Sequence, residues 1–436
     1  MKTIIFIAIY LPLQEFILKW LPVSESVFFF LRQTPDLLLL ALFFILIARR
    51  YMVNGTFKLI GRGLDLYLGA FILWAFAVSF FTTESSFAVN LSEIYTLVRY
   101  SVLVYCIRLL GPSEEQIKSL LYWVFVSALF QIGVGWAQFF GGISVRDFLS
   151  ARDYSSAITG VEKVFTGARE DGVNDLMGTM GDNINFAYLM AAGVFVCTAM
   201  VERKVIRIVL IGMLFLMLLF SGSRAIFMAT LLVYVGHVMW LRNVAARNVL
   251  LVFSALIFVA AFFLLRDIAS TMKYDYSSFW ALFHSEVFAS LMNQRLGMIF
   301  FFLPELVLSG DFILGLSPDR FYIAGIADQQ YNSIPEILLI LFDKVFEDFY
   351  WIALLSYYGL IGVAIWLLFF LKVGWHVKLL LRSDNATTRS VAFIAVMLII
   401  LMIPLNMANQ AFESRYFSFY LWLFVGLAVF LRRKPA

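Results

Sequence analysis

Arg224 stands directly after Ser221-Gly222-Ser223 and opens a long apolar stretch. A cation at a helix start works against the helix dipole, so stability alone gives no reason for it. The turn before it suits a chain reversal: Gly222 permits a tight bend, and Ser223 can cap the following helix. Free backbone N–H groups, a positive dipole end and a guanidinium then converge on one point, as anion sites require. The competing account is an interfacial arginine reaching lipid phosphates.

Other charged groups join the question. Arg99 lies about two turns inside an apolar stretch, at a depth where an unpaired charge costs a few kcal/mol. It either pairs with Glu15 or faces a polar cavity. Glu15 and Lys19, four apart on one helix face, can pair with each other. Two long segments expected to lie outside the membrane hold Arg146, Arg152, Arg169, Arg266, Arg295 and Arg320 before position 330, against Lys163 and Lys273. An arginine excess suits bidentate recognition of phosphate or carboxylate. Glu347-Asp348 opens a further apolar stretch. The pair is either an ordinary dipole-favoured helix start, or one of its carboxylates is a general base able to take a sugar hydroxyl proton.

The elements that must position these groups are membrane spans. The chain is 62% hydrophobic and 14% charged, with a mean hydropathy of +0.89, outside the range of soluble domains. Stretches of about 20 apolar residues cross a bilayer. Twelve candidates follow in order at 3–20, 35–48, 64–81, 93–110, 117–140, 182–201, 205–220, 224–241, 248–265, 349–371, 391–405 and 415–431. The first is the weakest, interrupted by Pro12, Gln14, Glu15 and Lys19. Lys and Arg between spans alternate sides, which places both termini in the cytoplasm. The expected fold is therefore an all-α, polytopic membrane protein, residues 1–436 forming a single transmembrane domain. Two external segments, 141–181 and 266–348, are too long to be mere connectors. In the second, Phe279, Trp280, Phe283, Val287, Leu291 and Met292 form an amphipathic stripe, either lying on the bilayer or packing on the spans as a lid.

Several functions are excluded. The net charge of +4 reflects the inside bias and gives no sign of nucleic acid binding. The first segment lacks the basic start and small-residue cleavage site of a signal peptide. Cys106 and Cys197 fall within spans as small buried residues, and His237, His284 and His376 are scattered, so neither disulfide nor metal site is expected. No phosphate-binding loop, dinucleotide fingerprint or metalloprotease motif occurs, and no cofactor is implied.

At these residues the chain resembles the O-antigen polymerase and ligase superfamily, integral membrane glycosyltransferases of bacterial envelope polysaccharide assembly. The blocks that carry the resemblance are Gln138-Phe139-Phe140-Gly141, the stretch Gly178-Thr179-Met180-Gly181-Asp182-Asn183-Ile184-Asn185-Phe186-Ala187, and Ser221-Gly222-Ser223-Arg224. Arg295 with Ile313-Leu314-Gly315-Leu316-Ser317, then Glu347-Asp348-Phe349-Tyr350 and Tyr358-Gly359-Leu360-Ile361-Gly362, continue it in the family's order. The resemblance implies a C-type glycosyltransferase architecture in the bacterial inner membrane, acting at the periplasmic face on undecaprenyl-pyrophosphate-linked oligosaccharide. Arg224 and Arg295 then occupy positions that hold the pyrophosphate, with Arg169, Arg99 and Ser223 as further candidates and Glu347 or Asp348 as the catalytic base. Family ligases carry a His-(Asn/Ser) pair where Glu347-Asp348 stands here, so the chain leans toward a polymerase. The alternatives are a ligase transferring glycan to lipid A core and a transporter of polysaccharide precursors. Expected partners are the lipid-linked glycan, membrane lipids and a chain-length regulator; expected cofactors and metals are none.

Overall fold

Apolar runs bounded by charged or turn residues become helices wherever the computed structural model describes the chain. The described residues are 1–21, 24–55, 63–81, 86–149, 176–239, 298–330, 346, 349–407 and 409–433. Among them every regular element is helical. The first part of the chain forms α1 (Lys2–Lys19), α2 (Glu25–Arg32), α3 (Thr34–Asn54), α4 (Leu64–Phe81), α5 (Phe87–Val98), α6 (Val102–Leu110) and α7 (Glu114–Leu149). Then come α8 (Asn183–Met200), α9 (Lys204–Phe220) and α10 (Arg224–Met239). Three short helices, α11 (Leu303–Leu308), α12 (Asp311–Leu314) and α13 (Arg320–Gln330), precede α14 (Tyr350–Leu380), α15 (Ala386–Leu405) and α16 (Arg415–Arg433). Six of these, α4, α7, α8, α14, α15 and α16, are long and apolar enough to cross a membrane. The chain is thus a helical, multi-pass membrane protein. The expected span at 248–265 and the aromatic stripe around residue 283 lie outside the described residues.

Three expected spans carry residues that can interrupt a helix, and two of them are broken. The first is continuous despite Pro12, because its polar residues are all engaged. Pro12 has no N–H to offer Ala8, and the Tyr420 hydroxyl donates to the Ala8 carbonyl instead, at 3.3 Å. Gln14 donates to the Leu31 and Arg32 carbonyls that end α2, at 3.2 and 2.7 Å. The fourth span is broken at a 3-10 turn, Arg99–Ser101, between α5 and α6. The tenth carries a break inside α14, where Gly359 adopts φ 64° and ψ 179°. Backbone freed in a span must find donors within the protein. Here the Ser356 carbonyl accepts from the Leu316 N–H at 2.7 Å, and the Tyr358 carbonyl accepts from the Trp74 indole at 2.7 Å.

Hydrophobic burial cannot drive helices together in lipid, so packing and close approach must do it. Gly426 of α16 supplies one such approach: an added Cβ would stand 3.1 Å from the Val104 Cα of α6. Gly193 of α8 sits in the same way between Ala128 and Leu214. Between α4, α14 and α16 an aromatic cluster fills the interior, with ring centroids of Trp366 lying 4.5 Å from Phe71 and 5.8 Å from Trp422. Helices α8 and α16 are the most enclosed of the long helices.

Candidate functional site

One end of the bundle collects its polar side chains. The C-terminal turns of α1 and α9, the starts of α3, α8, α10, α14 and α16, and the break between α5 and α6 all meet there through the bonds described next. Arg32 donates to Glu15 at 2.7 Å. The Arg415 guanidinium donates to the Arg32 carbonyl at 2.6 Å and to the Gln33 side chain. Ser414 lies 3.5 Å from Asn185, and the Asn183 amide donates to the Ser221 carbonyl at 2.9 Å. This end is the one that the charge distribution of the sequence assigns to the outside.

At its centre is Asp36, whose side chain is 3% exposed, with Arg99 at 3.9 Å and Arg415 at 3.8 Å. Neither carboxylate oxygen has a hydrogen-bond partner among the described residues, so the contact is charge against charge. Arg99 also donates to the Glu413 backbone carbonyl at 2.5 Å, and the Tyr350 hydroxyl donates to the Glu413 carboxylate. Arg99, 8% exposed, therefore has protein partners on two sides. Of the two expectations for Arg99, pairing with Glu15 or facing a polar cavity, the first is replaced by pairing with Asp36; Glu15 is held by Arg32, and Lys19 donates to the Phe148 carbonyl at 3.3 Å. Asp182, just before α8, caps that helix by accepting from the Ile184 N–H at 3.1 Å. Burial raises its carboxyl above the ordinary carboxylate range, against the backbone N–H groups and Arg32 that favour the anion.

Arg224 stands apart from this network. It is exposed at the first position of α10, and no carboxylate among the described residues pairs with it. Gly222 before it adopts φ 71°, the left-handed bend that the turn requires. Ser223 caps α10 through its backbone carbonyl, which accepts from the Phe227 N–H at 3.0 Å. The turn hydroxyl that binds backbone belongs to Ser221, which accepts from the Ser223 N–H at 3.3 Å and donates to the Leu218 carbonyl at 2.7 Å. A helix start with a free guanidinium can hold an anionic oxygen. Of the remaining sequence candidates, Arg169, Arg295, Glu347 and Asp348 lie outside the described residues. The chain carrying the last two enters α14 at Tyr350, on Glu413.

Several of the sequence blocks singled out above meet in pairs. Gln138 binds both backbone groups of Gly178, donating to its carbonyl and accepting from its N–H, each at 2.9 Å. Gln131, two turns earlier on α7, donates to the Thr179 hydroxyl at 2.5 Å and accepts from its N–H at 3.1 Å. Thr179 in turn donates to the Pro12 carbonyl at 2.6 Å. Gly315 and Gly359 touch backbone to backbone: a Cβ on Gly359 would lie 2.4 Å from the Ile313 carbonyl oxygen. Ser317 donates to Asn90 at 2.9 Å, both fully buried. Sequence reasoning passed over Asp36, Arg415, Glu413 and Tyr350. A usable signal was present: Asp36 and Arg415 are isolated charges opening two spans assigned to the same side.

No family model and no curated protein matches the chain.

Proposed function

We propose that the chain is a polysaccharide polymerase of the bacterial inner membrane, acting at the periplasmic face. In this reading it has twelve spans, with both termini cytoplasmic, and the polar end described above looks into the periplasm. The donor is a glycan on undecaprenyl pyrophosphate and the acceptor a lipid-linked repeat unit. An acceptor hydroxyl attacks the anomeric carbon, its proton passes to Glu347 or Asp348, and the bond from that carbon to the pyrophosphate oxygen breaks with inversion. Guanidinium groups, Arg224 first and Arg295 and Arg169 with it, hold the departing diphosphate in place of a divalent cation. Arg99 serves this account as a strut, since Asp36 and Glu413 already engage it.

The observation that carries the reading is Arg224, an exposed cation at a helix start with no ion-pair partner among the described residues. The Ser221 hydroxyl, bound to the Ser223 N–H, and the Asn183–Ser221 bond fix the turn before it. A transporter reading draws on the two interrupted spans, because such breaks line substrate pathways in transporters. At Gly359, however, the freed carbonyls are bonded to Leu316 and Trp74, and at Arg99 the guanidinium is held by the chain itself. The test is Arg224→Ala assayed on lipid-linked repeat units. A loss of roughly 100-fold in transfer is expected, with partial recovery in Arg224→Lys and an unchanged unfolding temperature. Full activity in Arg224→Ala removes this residue from the mechanism.

A further inference from the structure

The end of the bundle opposite Arg224 contains a cavity of about 340 Å³ between α8, α9, α10, α14 and α15. Its polar wall has one sign. Arg207 comes from the first turns of α9, Arg389 from the first turns of α15, and His237 from the last turn of α10, while no carboxylate among the described residues lines the space. No ion pair to either guanidinium is formed among the described residues. The hydroxyls beside them are already turned to backbone: Thr198 donates to the Val194 carbonyl at 2.6 Å and Ser390 to the Ala199 carbonyl at 3.2 Å. His237 is held by the edge of Phe393, with ring centroids 4.7 Å apart. Two helices start here, at Lys204 and Ala386, and three end here, α8, α10 and α14, so the helix dipoles offset one another and the positive sign of the wall comes from the side chains.

Two guanidinium groups sharing a cavity repel each other until an anion lies between them, so the arrangement is completed by a negative ligand. The size is that of a small-ligand pocket, larger than a lone phosphate needs. The same helices expose Val205, Val209, Leu232 and Met239 beside it, an apolar surface along which acyl chains can run. Basic pockets between spans at a cytoplasmic interface suit anionic head groups. We propose that this cavity binds a phosphate-bearing anion, and that its occupant in the membrane is the phosphodiester head group of an anionic phospholipid. The inference is independent of the transfer chemistry at the other end.

The test is native mass spectrometry of the full chain released from neutral detergent, titrated with dioleoylphosphatidylglycerol or dioleoylphosphatidylcholine. Preferential retention of the anionic lipid is expected, falling about five-fold in Arg389→Gln and further in the Arg207→Gln/Arg389→Gln double variant. Arg389 is exposed, so its replacement leaves the fold intact, and Arg389→Lys keeps the charge and should keep the lipid. Equal retention of both lipids, or retention unchanged in Arg389→Gln, overturns the proposal. Inorganic phosphate separates the two sources. Displacement of the lipid by millimolar phosphate supports recognition through the phosphate group. Phosphate bound with no lipid retained overturns the lipid as occupant.

Discussion

Asp36 is the carboxylate on which two arginines depend. Attraction at just under 4 Å amounts to about 4 kcal/mol per pair at an effective dielectric constant near 20, while burying each ion costs several kcal/mol. The two nearly cancel, so the cluster's value is positional: it fixes the start of α3, the break after α5 and the start of α16 against one another. Removing the acid is another matter, because two buried cations are left facing each other. Asp36→Ala should cost about 3–5 kcal/mol, read as a fall in unfolding midpoint in detergent, and Asp36→Glu should recover part of it. An unchanged midpoint would mean that the Glu413 carbonyl holds Arg99, and the Arg32 carbonyl with Gln33 holds Arg415, without Asp36. The exposed guanidinium of Arg224 was legible from its residue type and its place after a Ser-Gly-Ser turn. Arg99 was legible as an anomaly but not in its pairing, since Asp36 and Glu413 are far from it in sequence.

At the scale of elements, apolar length and flanking charge carried most of the information. The stretch 64–81 is the helix Leu64–Phe81, with Asp65 in its first turn bound by Arg108 of α6. Breaks and extensions were not legible where distant residues make them. The run Leu97-Val98-Arg99-Tyr100-Ser101-Val102 reads as an uninterrupted span, yet the Glu413 carbonyl draws Arg99 into a 3-10 turn. Gly141 and Gly142 suggest a loop, yet α7 continues to Leu149. Phe148 packs on Trp20 of the first span at 5.2 Å, and its carbonyl accepts from Lys19. The break at Gly359 depends on a left-handed φ and on contact with Gly315. Gly359→Ala has both against it, since the new Cβ would fall on backbone. We expect a loss above about 1 kcal/mol in the unfolding midpoint, with Gly374→Ala, whose Cβ meets nothing within 4 Å, as the neutral comparison. Equal behaviour of the two variants would place the break elsewhere in solution.

At the scale of the molecule, the two ends of the bundle differ in chemistry. One joins acids, amides and arginines into a network and leaves Arg224 free at its edge. The other keeps its acids Asp65 and Glu114 paired with Arg108 and Lys118 and carries Arg207, Arg389 and His237 around a cavity that no described carboxylate lines. The alternation of basic residues predicts which end faces which compartment, and single cysteines report it. A membrane-impermeant thiol reagent applied to intact cells should label Ser86→Cys and spare Asp384→Cys, both exposed positions set in a background without Cys106 and Cys197. The reverse pattern would invert the bundle and put Arg224 in the cytoplasm, away from any periplasmic substrate. The central claim concerns chemistry, and purified protein in detergent with lipid-linked repeat units, chelator present, tests it most directly. The account predicts a ladder of products lengthening by whole repeats, formed without a second compartment and without divalent metal; substrate recovered unchanged, or a single transfer to lipid A core and no ladder, would contradict it.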